Sequence, residues 1–263
     1  MTSFKNDFDY LIEMKNELIN HLQNITHDLM PKVDRISLGT GGIYLNSILA
    51  NLRGIEIVLE HGLIECGATI AASLWEKCIT IIYILNNPIA RSIEQSSHQG
   101  FKKTPWAIRQ MVKDIVNNEE LPSSRNKDIE EQLLYFQYSY LCAIKHGNPY
   151  TIAYLNRIKG ENTKCFNLKP EIVEDDKGLV AWIFGISITS SVDALVAFSK
   201  IFCGLGRLKQ LENFKDKIAS KIMSETNNRK FKFPTIIQIK SNDFTPEYLD
   251  YLKKLNDLYL KNH

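Results

Sequence analysis

The sequence predicts an all-α protein, a multi-helix bundle with a long N-terminal helix and a less regular C-terminal extension. Three observations lead there. Apolar residues recur at spacings of three and four up to Ile144, and again from about Leu179 to Ser224. Glycine, proline and asparagine punctuate those runs at Gly62, Asn87-Pro88, Gly147-Asn148-Pro149 and Gly204-Leu205-Gly206. The composition, 44% apolar and 24% charged, is that of a globular chain, and 263 residues can bury a sizeable core.

The first helix is expected from about Phe4 to Leu29. Phe4, Phe8, Leu11, Leu18, Leu22, Ile25 and Leu29 form a heptad stripe that Lys15 interrupts, and Pro31 ends it. Such a stripe packs lengthwise against a neighbour, in the same chain or in a second copy. Gly39, Gly41 and Gly42 read as a flexible connection into a second helix, about Ile43 to His61. There Ile48, Leu52, Ile55 and Leu59 form the core face, and Leu49, Arg53, Glu56 and Glu60 an adjacent one. Gly62 breaks the run. The third helix continues to about Leu85 and is apolar almost all round, except for a stripe of Glu65, Thr69, Ala72, Glu76, Thr80 and Tyr83.

Residues 88–103 are polar and read as a mobile loop, after which Thr104-Pro105 opens a short helix. Ser123 or Ser124 caps the next helix, which carries Ile129, Leu133, Phe136, Tyr140 and Ile144 on one face. It stops at Lys145-His146-Gly147-Asn148-Pro149. Residues 164–173 suit a short strand or an extended loop. Helices are expected from about Leu179 to Cys203 and from Arg207 to about Ser224. Phe231–Lys240 reads as extended, and Thr245-Pro246-Glu247 opens a last helix. Residues 1–206 make the expected bundle domain. Residues 207–263 make a C-terminal helical extension that either joins it or stands apart.

A net charge of +2 gives no global drive toward nucleic acid, membranes or acidic partners. Five cysteines, Cys66, Cys78, Cys142, Cys165 and Cys203, include no Cys-x-x-Cys pair, which argues against a zinc cluster. Cys66, Cys78 and Cys203 fall in apolar helical patterns and read as reduced thiols filling the core. The first residues show no basic region followed by an apolar run, so the expected address is cytoplasmic. Gly62–Leu85 and Leu179–Cys203 approach the length and apolarity of membrane spans. Their internal charges favour buried core helices, and no membrane association is expected.

Several residues stand out chemically. Arg53 and Glu76 sit inside otherwise apolar helices, where an unpaired charge is costly. Arg53 is expected to pair with Glu56 or Glu76, as a charge lock between the second and third helices. Glu56, Glu60, Glu65 and Glu76 offer carboxylates for a metal, but these helices lack the Glu-x-x-His motif of di-metal bundles, and no metal or cofactor is expected. His146 shares a helix face with Tyr135, Ser139 and Cys142, so it reads either as a general acid or base or as a histidine placed by the helix dipole. Cys142 with His146 resembles a nucleophile pair, yet no Gly-rich oxyanion segment surrounds it. After residue 206, Arg207, Lys209, Lys215, Lys217, Lys221, Arg229, Lys230, Lys232 and Lys240 form a basic tract, with Phe231 and Phe233 interleaved. It suits either a nucleic-acid surface or a solvated helix followed by a charged edge.

Arg53, Glu56, Gly62, Ala68 and Ser73-Leu74-Trp75-Glu76 resemble the pattern of a family of uncharacterised bacterial helical proteins. That pattern is an arginine-glutamate helix, a glycine break and Ser-Leu-aromatic-Glu. The family's second signature resembles Tyr138 or Tyr140, Leu141-Cys142 and His146. The same region, roughly residues 43–150, is similar to the wider HEPN group of helical ribonucleases and toxin–antitoxin proteins of bacterial defence. The HEPN arginine would fall at Ser139, Tyr140 or Leu141, none of them basic, so Lys145 or Arg53 would have to substitute.

The resemblance implies a metal-independent, RNA-directed effector. His146 would act on the ribose 2′-hydroxyl or the leaving 5′-oxygen, with Arg53 or Lys145 on the phosphate. It implies RNA, an antitoxin or other protein partner, and a homo-oligomer joined through the heptad face of the first helix. The rival expectation is a non-catalytic binding or scaffold protein in which Arg53, Glu76 and His146 hold the bundle together.

Overall fold

The computed structural model describes residues 4–98, 104–118, 127–145, 172 and 176–230. Among them are nine α-helices and no β-strand. They are α1 (Phe4–Asp7), α2 (Asp9–Asn24), α3 (Arg35–Glu60), α4 (Ile64–Leu85), α5 (Pro88–Ser97), α6 (Ile108–Asn118), α7 (Lys127–Lys145), α8 (Lys177–Phe202) and α9 (Leu205–Asn228), with a 3-10 turn at Ile25–Asp28. The all-α multi-helix fold is as the periodicity requires.

Two apolar helices form the centre. α4 packs against α3, α5, α6, α7 and α8, and α8 packs against α2, α3, α4 and α9. Both are long and apolar enough to cross a membrane, but 67% and 78% of their most apolar stretches are buried inside the protein, so core packing accounts for that composition. The hydroxyls of Ser187 and Ser191 in α8 donate to the carbonyls one turn back, at 2.7 Å each. Buried polar groups need such partners.

The expected N-terminal helix is divided. Phe8 leaves helical geometry (φ −125°, ψ 21°), which lets its ring pack on Phe4 at 4.9 Å in the core. The break frees the carbonyls of Asn6 and Asp7, and both accept from the Arg229 guanidinium, at 2.9 and 2.7 Å. The heptad stripe itself is spent inside the chain. Phe4, Phe8, Leu11, Leu18, Leu22 and Ile25 are all buried, so this face is not available to a second copy.

α3 begins eight residues earlier than expected. Asp34 caps it, accepting from the Ser37 amide at 2.7 Å, and the three glycines lie within the helix. Gly41 has a packing reason. A Cβ there would sit 2.9 Å from the Phe198 ring, so glycine is what lets α3 approach α8. Gly62, at φ 71°, reverses the chain between α3 and α4.

Three further expectations are corrected. The first half of the supposed 88–103 loop is α5. Pro88 takes the first helical turn, and Arg91 ties the helix down. The Arg91 guanidinium lies 3.6 Å over the Tyr83 ring, donates to the Tyr83 carbonyl and reaches Asp114 at 4.0 Å. The Thr104 hydroxyl donates to the Trp106 carbonyl in a turn, and so α6 starts only at Ile108. Cys66 is exposed rather than core-filling, because its helical phase puts it on the side of α4 opposite the buried Ile64, Ala68, Ala71 and Trp75; Cys78 and Cys203 are buried. The Ser123/Ser124 cap, the stop at 146–149, the 164–173 segment apart from Ile172, Cys165 and everything from 231 onward lie outside the described residues.

α9 crosses the expected 206/207 boundary and joins the same core through Leu211, Phe214 and Ile218. Its outer edge meets acidic α2 in an antiparallel ladder. Lys217 pairs with Glu17 at 2.8 Å, Lys221 with Glu13 at 2.5 Å and Arg229 with Asp9 at 2.6 Å. Lys221 holds the Glu13 carboxyl below its ordinary value, and Glu17 raises that of Lys217. The described part of the basic tract is thus largely matched within the chain. Lys232, Lys240, Phe231 and Phe233 lie outside the described residues.

Candidate functional site

The Ser73-Leu74-Trp75-Glu76 segment of α4 meets α7 across a polar-aromatic contact. One helical turn brings Trp75 and Glu76 to the α7 side, and Gln137, Tyr138 and Cys142 lie on the answering face. The Tyr138 hydroxyl donates to Glu76 Oε1 at 3.0 Å. The Trp75 and Tyr138 rings stack at 5.2 Å and 22°, and the Trp75 indole N–H donates to Gln137 Oε1 at 3.4 Å. Burial pushes the Tyr138 hydroxyl's pKa up, and its hydrogen bond with the Cys142 thiol and the Glu76 charge push it further. The phenol is therefore held neutral, as a donor.

Arg53 takes no part in this. It lies exposed on α3, and no ion pair joins it to Glu56 or Glu76 among the described residues. Glu56 pairs instead with Lys15, which is 4% exposed in α2. The charge lock therefore joins α2 to α3 rather than α3 to α4. The reason is helical phase, since the face carrying Glu56 turns away from α4 toward α2. Lys15, the residue that interrupts the heptad stripe, was the sequence signal for it.

Lys145 is the last residue of α7 and is half-buried; His146 lies outside the described residues. The three residues expected beside His146 have other partners. Tyr135 lies under the Arg109 guanidinium at 5.6 Å, Ser139 donates to the Tyr135 carbonyl at 2.9 Å, and Cys142 bonds Tyr138. Tyr140, the alternative to Tyr138 in the resemblance, meets Trp182 edge-on at 5.1 Å.

The carboxylates proposed for a metal are dispersed. Glu56 faces Lys15, Glu60 faces Lys5 at 3.6 Å, Glu65 is exposed and Glu76 binds Tyr138. No group of three or more His, Cys, Asp or Glu among the described residues is arranged to hold a metal ion.

Behind Trp75 lies a cleft that periodicity did not reveal. It is a partly open space of about 790 Å3 between α4, α6, α7 and α8, with Lys215 of α9 at its edge. Trp75, Ile79, Ile82, Leu134 and Ile201 supply apolar wall. Glu130, Ser190, Lys200 and the Asp193–Lys215 pair, at 2.7 Å, supply polar groups. Its volume is that of a site for a small organic ligand, and its lining exposes polar as well as apolar surface. Individually its residues read as ordinary core and rim positions, and only the meeting of four helices makes them a cavity. Compared with known proteins, the chain matches no family model, no curated protein and no solved structure.

Proposed function

We propose that this chain is a non-catalytic helical binding protein whose cleft between α4, α6, α7 and α8 receives an amphipathic ligand. The observation that carries this reading is the cleft itself, a cavity of mixed apolar and polar lining with both signs of charge among its residues. The neighbouring Glu76–Tyr138–Trp75 contact supports it as a wall element. Glu76 is occupied by a neutral phenol, and the cation expected beside it, Arg53, lies on open surface. Trp75 belongs to both features, so ligand contact and bundle packing share one side chain.

The test is binding of an amphipathic naphthalene-sulfonate dye to wild type and to Ala197→Phe. Ala197 lines the cleft and is half-buried, so a ring there occupies the cavity from its wall. Saturable binding to wild type, weakened at least tenfold in a variant with unchanged circular dichroism, is the expected result. Equal binding by both proteins overturns the reading.

A second reading, a HEPN-like, RNA-directed effector of bacterial defence, draws support from Lys145. It closes α7 on the helix that also carries Tyr138 and Cys142, next in the chain to His146. Expression of wild type and His146→Ala side by side in bacteria tests it. RNA cleavage and growth arrest confined to wild type would establish it, with His146 as the proton-transfer group. Intact RNA and equal growth with both proteins folded would favour the binding protein.

A further inference from the structure

α3 carries an apolar row on its outer face. Ile36, Ile43 and Ile57 are 49%, 72% and 57% exposed, and exposed Ala50 completes the row at seven-residue intervals. Seven residues span two helical turns, so these side chains form a nearly straight line opposite the buried Ile48, Leu52, Ile55 and Leu59. Single surface isoleucines need no explanation. Three in register along one helix mark a contact surface.

Two glycines point the same way. Gly39 and Gly42 lie within α3 beside Ile36 and Ile43, and a Cβ at either would meet nothing within 4 Å. Glycine inside a helix costs about 1 kcal/mol relative to alanine. At Gly41 the close approach of Phe198 accounts for it. Among the described residues, nothing in the packing does so at Gly39 or Gly42. Bare backbone beside an apolar row allows another helix to come close.

Charge selects the occupant. At the N-terminal end of α3 exposed Lys32 and Arg35 outweigh the capping Asp34, a net positive charge, and the C-terminal end is acidic at exposed Glu60. Among the described residues Glu60 is engaged only by Lys5, at 3.6 Å on the surface, which is a weak tie. Two copies of α3 laid antiparallel, with a twofold axis near Asn46 and Ser47, set Ile36 against Ile57 and Ile43 against Ala50. The same arrangement brings Arg35 of each copy alongside Glu60 of the other. A self-complementary row with opposite charges at its two ends fits a second copy of itself.

We propose that the outer face of α3, along Ile36, Ile43, Ala50 and Ile57, is the antiparallel contact of a homodimer of this chain. The heptad stripe of the N-terminal segment, the first place to seek such a contact, is consumed by the core. The α3 row is its exposed counterpart.

Light scattering on the eluting full-length protein at tens of micromolar tests this. Wild type is expected at about twice 30.2 kDa, and Ile43→Glu at the mass of one chain with an unchanged circular dichroism spectrum. Arg35→Glu is expected to weaken association several-fold, and adding Glu60→Arg to restore it. Wild type at the mass of one chain overturns the proposal. So does a dimer that Ile43→Glu leaves intact, which would put the interface elsewhere. Single-chain wild type that binds neutral phosphatidylcholine vesicles through Ile43 would also overturn it, and assign the row to lipid.

Discussion

The Tyr138 hydroxyl donates to the Glu76 carboxylate at 3.0 Å, joining α7 to the central helix α4. From the sequence, Arg53 is expected to pair with Glu56 or Glu76. The two assignments predict different mutants. Tyr138→Phe should lose about 1 kcal/mol and Glu76→Ala about 1–3 kcal/mol, because each removes a hydrogen bond from a partly buried polar group. Glu76→Gln keeps an acceptor and should stay close to wild type. Arg53→Ala should change stability by less than about 0.5 kcal/mol, as exposed substitutions do. Urea denaturation of the four variants checks this, and an Arg53→Ala loss as large as that of Glu76→Ala would restore the original assignment.

Lys15 and Glu56 form the charged contact that does lie inside the bundle. Lys15→Ala abandons the Glu56 carboxylate at the α2–α3 interface and should cost about 3 kcal/mol. Replacing both, Lys15→Met with Glu56→Leu, should recover most of that, since an apolar pair avoids the desolvation of two charges. A double-mutant cycle by chemical denaturation measures the difference. A double variant less stable than Lys15→Ala would show that the ion pair is net stabilising.

Gly41 and Gly67 should not tolerate a methyl group. A Cβ at Gly41 meets Phe198 at 2.9 Å, and one at Gly67 meets the Leu59 side chain at 2.5 Å, with Leu59 itself fully buried. Gly→Ala at either site should lower stability by about 1–3 kcal/mol, the usual cost of overpacking, despite alanine's better helix propensity. Thermal melts of the two variants decide it, and a raised melting temperature would contradict the close helix approach.

His21 gives the fold a pH dependence. Its ring packs on Phe214 at 4.7 Å, and burial, with the Arg207 charge nearby, lowers its pKa below the ordinary 6.5. The unfolded chain therefore binds this proton more readily than the folded one. The stabilisation is complete above pH 6.5 and is lost as pH falls from there toward the folded pKa. His21→Phe keeps the ring contact and removes the titration. The stability difference between neutral pH and about pH 5.5 should be smaller in that variant than in wild type, read from denaturation midpoints. An equal difference would assign the acid sensitivity to other groups.

Helix type and the principal core face were legible in the residues. Ile48, Leu52, Ile55 and Leu59 are each fully buried, and the apolarity of α4 and α8 foretold their central place. Helix limits were less legible. Gly39, Gly41 and Gly42 read as a connection because glycine disfavours helix locally, whereas Asp34 caps the segment and Phe198 rewards the missing Cβ at Gly41. The Glu76–Tyr138 bond joins residues 62 positions apart, and spacing along one helix carries no information about such a partner.

The sequence by itself determined the fold class, because a 3.6-residue apolar period fixes both the helix and the side it buries. It also announced that charges inside apolar helical patterns, Glu76 among them, must find partners, since unpaired charge near a core is costly. Which partners they found was decided by tertiary structure alone. The rotation of α3 about its axis sends Glu56 to α2 and leaves Arg53, Ile43 and Ile57 on open surface. The packing of α6, α7 and α8 around α4 makes a cleft beside Trp75. Period gives each helix its buried face, but the phase and placement of its neighbours set which polar groups meet and which surface stays bare.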